Sequence, residues 1–313
     1  MNRPFIYQKP NQGSVLVVCL WVIMILSVLG LGITGLVLQE INFSKTYTRL
    51  VTSPPIVQGA LKRMLNFRAK DLTPAYDTWD ELSKEEIFDL AGGNSYRCFF
   101  VDKIKFKDKE EIIDESALIN LNLASAEVLA RLPGMDEDMA QAIVRSSWRP
   151  FRSINEVLLV EDISKEKFLL FKDYVTIFGT GRVNINTASR EVLMALGLEE
   201  EVAKIILRFR REHEIKPEVK PPDKGIFSEP VVEPTGEPIY GIANLSALLN
   251  DLREYTMLSL RQEQDLLVLL PVFTVKSEYL RFNVITTSGN HEGLHYSIVI
   301  NPQAKKVLSW RED

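Results

Sequence analysis

The spacing of apolar and polar positions separates the chain into stretches of different kind. From Ser14 to Leu38 every residue is uncharged and most are apolar, and the first acid is Glu40. As a helix rising roughly 1.5 Å per residue, this run is long enough to cross a hydrocarbon core of about 30 Å. EINFSKTYTRLV continues it with amphipathic spacing. Pro54-Pro55 should then break or bend the helix, because proline lacks the N–H and clashes with the preceding turn. The helical period restarts with Ile56, Val57, Leu61, Met64 and Leu65. After a turn-rich stretch holding Pro74, Tyr76, Trp79 and Asp80, the segment 95–107, SYRCFFVDKIKFK, alternates as a strand does, with Ile112 and Ile113 in a second.

Residues 118–214 read as helices, and two segments within them resemble each other. INLNLASAEVLARLPGMDEDMAQAIVRS begins at Ile119 and VNINTASREVLMALGLEEEVAKIILRF at Val183, an offset of 64 that falls to 63 before the glycine. Asn120 matches Asn184, Asn122 matches Asn186, Ala124-Ser125 matches Ala188-Ser189 and Gly134 matches Gly197. A repeat of this quality implies two copies of one supersecondary unit. In each copy Asn-x-Ala-Ser opens a helix, since small polar side chains cap free N–H groups and a glutamate two residues after the serine suits the first turn. A turn containing glycine and a second helix follow, which is the helix-hairpin-helix pattern. The hairpins span 119–146 and 183–211.

Residues 215–241 are rich in proline and acid and read as an extended or disordered loop. IANLSALLNDL is helical again, with Asn244 or Ser246 as cap. From Phe273 to the terminus the chain alternates, with SGNHEG and NPQAK as turns, so an antiparallel meander of three strands is expected. Strands on both sides of a helical block point to one sheet with the block inserted into it, or to two independent domains.

Composition narrows the function. The chain has 313 residues, 46% apolar and 25% charged, with formal charge −5. About 275 residues lie beyond the apolar run, enough for one large domain or two smaller ones. An acidic body is a poor starting point for binding nucleic acid or anionic lipid. Cys19 lies in the apolar run and Cys98 far beyond it, so no disulfide is expected. Arg3 and Lys9 precede the run, which favours a cytoplasmic amino terminus, although Lys45 and Arg49 follow it.

The order of the first residues carries more. A secretory signal places small residues after its apolar stretch, for cleavage on the far side. Here Gly13 ends a short polar leader before the stretch. That order matches a prepilin-type leader, cut after the glycine on the cytoplasmic face, with the apolar helix retained as an assembly stem. Cleavage would remove Arg3 and Lys9 and take the formal charge to −7. An ordinary uncleaved anchor is the alternative reading of the same residues.

Taken nearly end to end, the chain resembles the K-type minor pseudopilins of bacterial type II secretion systems (the general secretion pathway protein K family). The resemblance rests on the glycine-ended leader and stem, YDTWDE at 76–81, DESALINLNLAS at 114–125, the paired hairpins, FTVKSEYLRFNV at 273–284 and VLSWRED at the terminus. It implies an α+β fold, with a pilin-like transmembrane stem helix on an antiparallel sheet and a large all-helical insert. The parts would be a leader (1–13), a transmembrane helix (14–38), stem and first strands (39–117), the insert (118–260) and C-terminal strands (261–313). It also implies peptidase cleavage between Gly13 and Ser14, N-methylation of Ser14, and a single pass through the inner membrane with the C-terminal domain periplasmic. Other minor pseudopilins, of the I and J types, would be the partners, and the role would be capping the pseudopilus tip. Pilin-like chains usually carry glutamate at the fifth mature position, where this chain has Val18; the K-type subunit typically lacks it. A carboxylate in the membrane is costly unless paired, and a subunit with nothing above it has no need to offer one.

No catalytic set is apparent, so no enzyme and no small-molecule substrate are expected. His291 and His295 with Glu292 are better read as a solvated turn than as a metal site, His213 ends a helix, and no glycine-rich phosphate loop is present. No cofactor is expected, except that the resemblance allows calcium. Its oxygen ligands, from Asp102, Asp108, Asp114 or 223–237, stay unassigned, as no run has calcium-loop spacing.

The competing reading is a membrane-anchored DNA-binding protein of the competence type; a third is an anchored periplasmic protein with no pilus. Helix-hairpin-helix units grip phosphates with backbone N–H groups in a Gly-hydrophobic-Gly turn. Here Gly134 and Met135 are followed by Asp136, Glu137 and Asp138, and Gly197 and Leu198 by Glu199, Glu200 and Glu201. Three carboxylates in each turn oppose a phosphate. The cluster Arg208, Arg210 and Arg211 reads as a solvated face beside Glu212 and Glu214. The hairpins are therefore expected to be a protein-contacting scaffold, with no nucleic-acid partner.

Overall fold

A computed structural model describes residues 12–69, 73, 75–82, 86–90, 94–99, 114–215, 238–288 and 291–312. In chain order the elements are α1 (Gln12–Ala69), α2 (Trp79–Leu82), β1 (Glu86–Leu90), β2 (Asn94–Phe99), β3 (Ile119–Asn120), α3 (Ala126–Ala130), α4 (Glu137–Arg145), α5 (Lys165–Phe171), β4 (Val175–Thr176), β5 (Val183–Asn184), α6 (Arg190–Ala195), α7 (Glu200–Glu212), α8 (Leu245–Tyr255), α9 (Leu260–Leu269), β6 (Phe273–Thr274), β7 (Leu280–Ser288), β8 (His291–Asn301) and β9 (Lys306–Glu312). The chain divides into two units, Met1–Pro55 and Ile56–Asp313.

In the first unit, Val15–Ser44 of α1 is long and apolar enough to cross a membrane, a length of roughly 45 Å. Its large side chains are exposed on every side. Ser27, Thr34 and Thr46 donate their hydroxyls to the carbonyls of Ile23, Gly30 and Asn42 at 2.8, 2.8 and 2.9 Å. This back-bonding satisfies each hydroxyl inside its own helix, which for Ser27 and Thr34, within the apolar span, suits an apolar surrounding.

The expected break at Pro54-Pro55 does not occur: α1 runs through both prolines to Ala69. Each proline removes one ladder donor, and an interior proline costs about 3 kcal/mol. Burial further along offsets that cost. Val57, Ala60 and Met64, spaced along one helical face, are buried with Leu82 in a cluster with the sheet residues Leu280, Phe282, Val284, Tyr296, Ile298 and Ile300. Each large side chain so buried contributes about 1.5–3 kcal/mol.

The sheet of the second unit runs β1-β2-β7-β8-β9, all neighbours antiparallel. β2 pairs with β7 across the whole helical block, so the block is an insertion into one sheet and not an independent neighbour. Alternate residues of β7 and β8 meet in register, Leu280 with Ile300, Phe282 with Ile298 and Val284 with Tyr296, and these build the face that α1 covers.

One boundary needs correction. The C-terminal strands do not begin at 261: α9 and a 3₁₀ turn (Leu270–Val272) occupy the first part of that span, and the sheet resumes at Leu280. A strand at Glu86–Leu90 was not foreseen. The strand expected over 95–107 is described as β2 over Asn94–Phe99; its remainder, Ile112 and Ile113, the leader up to Asn11 and most of the 215–241 loop lie outside the described residues.

The insert holds one apolar core shared by both hairpin copies, with Leu121, Leu129, Met139, Ile143, Phe171, Ile185, Leu193, Ile206, Phe209 and Phe273 fully buried. The duplicated unit is longer than the hairpin. Ile119 and Asn120 pair in parallel with Val175 and Thr176, and Val183 and Asn184 pair in the same way with Phe273 and Thr274. The next N–H continues each ladder, Leu121 to the Thr176 carbonyl at 2.8 Å and Ile185 to the Thr274 carbonyl at 3.0 Å. Each returning strand follows a serine-capped helix, α5 behind Ser164 and α9 behind Ser259, and a 3₁₀ turn.

Candidate functional site: two hairpins and a buried polar junction

Each hairpin turn is set by a glycine with positive φ, +72° at Gly134 and +117° at Gly197, a conformation in which a Cβ is strained. Ser125 and Ser189 cap α3 and α6, accepting from the N–H groups of Val128 and Val192, both at 3.3 Å. Beyond the glycine the copies differ. Asp136 caps α4, accepting the Met139 N–H at 2.8 Å. Its carboxylate thus occupies the helix N-terminus on which a phosphate would sit. Glu199 makes no such cap; it turns to α9, where Gln262 donates to it at 3.3 Å and Arg261 lies 3.8 Å away. Glu137, Asp138, Glu200 and Glu201 stand exposed in the first turns of the second helices.

The matched asparagines do equivalent work. Asn120 and Asn184 each accept, through Oδ1, the N–H two residues on, at 2.8 and 3.0 Å. Asn122 clasps the backbone of Phe151 in both directions, at 3.0 and 2.7 Å, and Asn186 clasps Ile242 at 2.9 and 2.8 Å. An arginine closes each unit, beyond the second helix in copy one and within its last turn in copy two. Arg149 donates to the Ala124 carbonyl at 2.8 Å, and Arg210 to the matching Ala188 carbonyl at 2.7 Å and to Ile185 at 2.9 Å. Arg210 is therefore not part of a solvated face. Burial, and then the neighbouring Arg211, push its guanidinium down to about 9.

The second copy also enters a buried polar junction. Asp114 accepts from the Ser116 N–H at 2.8 Å, from the Thr187 hydroxyl at 2.7 Å, from the Ser277 hydroxyl, and from Asn184 at 3.4 Å. Asp77 accepts the Ser277 N–H at 2.7 Å, and its carbonyl receives Asn184 and Asn186 at 3.4 and 3.3 Å. Burial pushes the Asp114 carboxyl up to about 6, with hydrogen bonds from Ser277, Thr187 and Ser116 opposing the rise and Asp77 adding to it. Next to it the buried Glu115 pairs with Arg281 and accepts the Thr176 hydroxyl. Asp77, Asp114, Asn184 and Ser277 come from separate stretches, so long-range folding alone brings them together. The sequence signalled them only as parts of separate motifs.

Gly13 and Ser14 lie in the first turn of α1, and Val18, one turn on, is exposed. His213 ends α7 and stacks on Phe209 at 4.4 Å. His291 and His295 both lie on β8. Among the described residues no three His, Cys, Asp or Glu side chains gather as a metal ion would need. Of the oxygen donors considered for calcium, Asp114 faces hydrogen-bond donors and so does not offer a free ligand; Asp102, Asp108 and 223–237 lie outside the described residues.

Comparison with known proteins gives two findings. A helix-hairpin-helix motif family matches residues 114–176, the first copy from Asp114 to the strand that closes it. A solved chain in the GspK-GspI-GspJ complex from the enterotoxigenic Escherichia coli type 2 secretion system has a similar fold, with TM-score 0.54 and 14% identity, over 88% of this chain and 99% of that one. No curated protein matches the sequence significantly. The fold is thus pseudopilin-like, with a candidate membrane anchor at its amino end.

Proposed function

We propose that this chain is a minor pseudopilin of a type II secretion system, of the K type, capping the pseudopilus tip together with I- and J-type minor pseudopilins. The observation that carries the reading is fold likeness over nearly the full length of both chains to a member of such a complex. The apolar α1 behind Gly13 and the absence of a fifth-position glutamate at Val18 support it. On this reading a prepilin peptidase cuts between Gly13 and Ser14, Ser14 is N-methylated, and α1 holds the chain in the inner membrane with the remainder periplasmic. The role is structural, without catalysis. The insert widens the tip, where it meets substrate or the outer-membrane channel.

Assembly tests this. The full chain, mixed with I- and J-type minor pseudopilins at micromolar concentration, should form a three-component complex. No association would remove the tip assignment. Gly13→Val should leave the leader uncut, and intact Met1 on the unaltered chain, in cells holding the peptidase, would refute processing. Val18→Glu should be neutral or harmful to secretion.

The helix-hairpin-helix match favours a second reading, a membrane-anchored DNA-binding protein. The capping carboxylate of Asp136 and the acids after both turns argue against it.

A further inference from the structure

The two copies present the same face in opposite states. By the offset of 64, Leu123, Ala124 and Val128 of copy one match Thr187, Ala188 and Val192 of copy two. In copy two this face is closed: Thr187 is 7% exposed, and Ala188 and Val192 are fully buried. In copy one it is open: Leu123 is 58% exposed, and Ala124 and Val128 are half-buried. The chain itself makes the difference, because the segment before each copy lies on the other copy. Residues 114–118, DESAL, precede copy one and cover copy two. There the 3₁₀ turn Glu115–Ala117 packs against β5, and Asp114 accepts from Asn184 and Thr187. Residues 178–182, FGTGR, precede copy two and lie on copy one, where Asn120 donates to the Phe178 and Gly179 carbonyls.

The second cover is the thinner one. By the same offset Gly179 and Gly181 stand where the first has Glu115 and Ala117. Their φ values of +98° and +84° favour glycine, and a Cβ on Gly181 would come 3.2 Å from Leu123 Cδ1. A groove of about 380 Å³ stays open between the copies, walled by Ile119, Leu123, Ala124, Val128, Leu196 and Val272. That volume lies within the range of ligand sites. Arg182 is the one charged side chain on its walls among the described residues, and Ser125 and Thr180 add hydroxyls. Arg182 is exposed and makes no ion pair among the described residues. Glu127, next to Val128, is taken by Arg131, and Glu115 by Arg281; Glu278, on a small cavity that Arg182 also lines, makes no ion pair with it.

We propose that this groove docks an extended segment of a partner polypeptide that carries an aspartate or glutamate within a few residues of an aliphatic side chain. Copy two supplies the template for the occupant: a segment of that kind, Asp114 to Leu118, covers the equivalent face there. In the groove of copy one the aliphatic side chain displaces water from Leu123 and Val128. The carboxylate meets the Arg182 guanidinium, whose planar fork of donors matches it. The groove lies wholly within the insert, so its filling is independent of the pseudopilin assignment.

The test uses the full chain in nanodiscs of zwitterionic lipid, with empty discs as reference. It is titrated with the end-blocked peptide DESAL, its amide version NQSAL and its basic version KKSAL. DESAL should bind at one site with a dissociation constant below about 1 mM, and NQSAL about tenfold more weakly. R182Q and L123A should each weaken DESAL about tenfold or more, with the melting temperature unchanged, since both side chains are exposed. R182E should reverse the preference from DESAL to KKSAL, a change that a folding defect does not produce. Leu159→Ala, at an exposed leucine off the groove, should leave binding as it was. Isocaproate, a free aliphatic acid of leucine-like shape, separates a small-molecule site from a polypeptide one. The proposal is overturned by no binding of DESAL at about 1 mM, by equal binding of NQSAL, or by R182Q and L123A without effect. It is equally overturned by a loss in Leu159→Ala that matches L123A, or by isocaproate binding where no peptide binds.

Discussion

The two hairpin copies use the same residues in different surroundings. In copy one the asparagine pair closes on its own unit: Asn120 donates to the carbonyls of Phe178 and Gly179 at 2.9 and 3.0 Å, and Asn122 to Phe151. In copy two the equivalent asparagines reach outward, Asn184 to Asp77, Asp114 and Ser277, and Asn186 to Asp77 and Ile242. Local geometry is set by the motif, whereas energetic weight is set by what the motif is buried against. Copy one keeps its asparagine contacts within its own unit, although it shares its apolar core with copy two. Copy two reaches the sheet through Asn184 and Thr187, which donate to Asp114, itself bridged to Leu280, and copy one reaches it through Thr176 on Glu115, the partner of Arg281.

The largest expected effect is electrostatic and belongs to the buried junction that copy two enters. Burial holds Asp114 at about 6 in the folded chain, against 3.8 for an ordinary aspartate. Between those values the folded chain binds a proton that the unfolded chain lacks. The group's contribution to stability is therefore whole below about pH 4 and is lost as pH rises through 6. Relative to Asp114→Asn, the unaltered chain should lose on the order of 3 kcal/mol over that window, by denaturant unfolding at fixed pH values. A difference that does not change with pH would contradict this.

Next comes the contrast between the asparagines. Asn184→Ala leaves Ser277, Asp114 and the Asn186 N–H short of partners in a fully buried site, whereas Asn120→Ala leaves the Asn122 N–H and two loop carbonyls in a part-buried one. The first should cost about 2 kcal/mol more than the second. Equal losses would break the comparison.

The smallest difference lies in the turns. Both glycines have positive φ, so Gly134→Ala and Gly197→Ala each incur backbone strain. At Gly134 the new Cβ would also meet Leu170 Cβ at 2.7 Å, while at Gly197 its tightest contact is the movable Arg131 guanidinium at 3.1 Å. Gly134→Ala should be the worse by about 1 kcal/mol. The reverse order would show that strain at +117° outweighs the clash.

Much of this was legible from local signals. The stem, the serine caps at Ser125 and Ser189, the glycine turns and the three-stranded tail all follow from spacing and turn chemistry within a few residues. What escaped is long-range. The two-residue strands β4 and β6 carry no period of their own, and the returning units differ in length, which hides the full repeat. α1 survives its prolines because of burial that no local rule records. The junction joins Asp77 to Ser277 across most of the chain. Asp136 was half legible: an acid in the turn was visible, but the structure turns it onto its own helix as a cap.

The account rests on the hairpins being a protein-contacting scaffold and not a phosphate grip. Titrating the full chain, in nanodiscs, with duplex DNA at about 150 mM salt tests this most directly. Even non-specific binders show dissociation constants of about 10⁻⁴ to 10⁻⁶ M under such conditions. The prediction is no measurable binding, because the Asp136 carboxylate occupies the N-terminus of α4 and the acids Glu199 to Glu201 follow the second turn. A tight complex that weakens steeply with added salt would contradict it and turn the reading toward a DNA-binding protein.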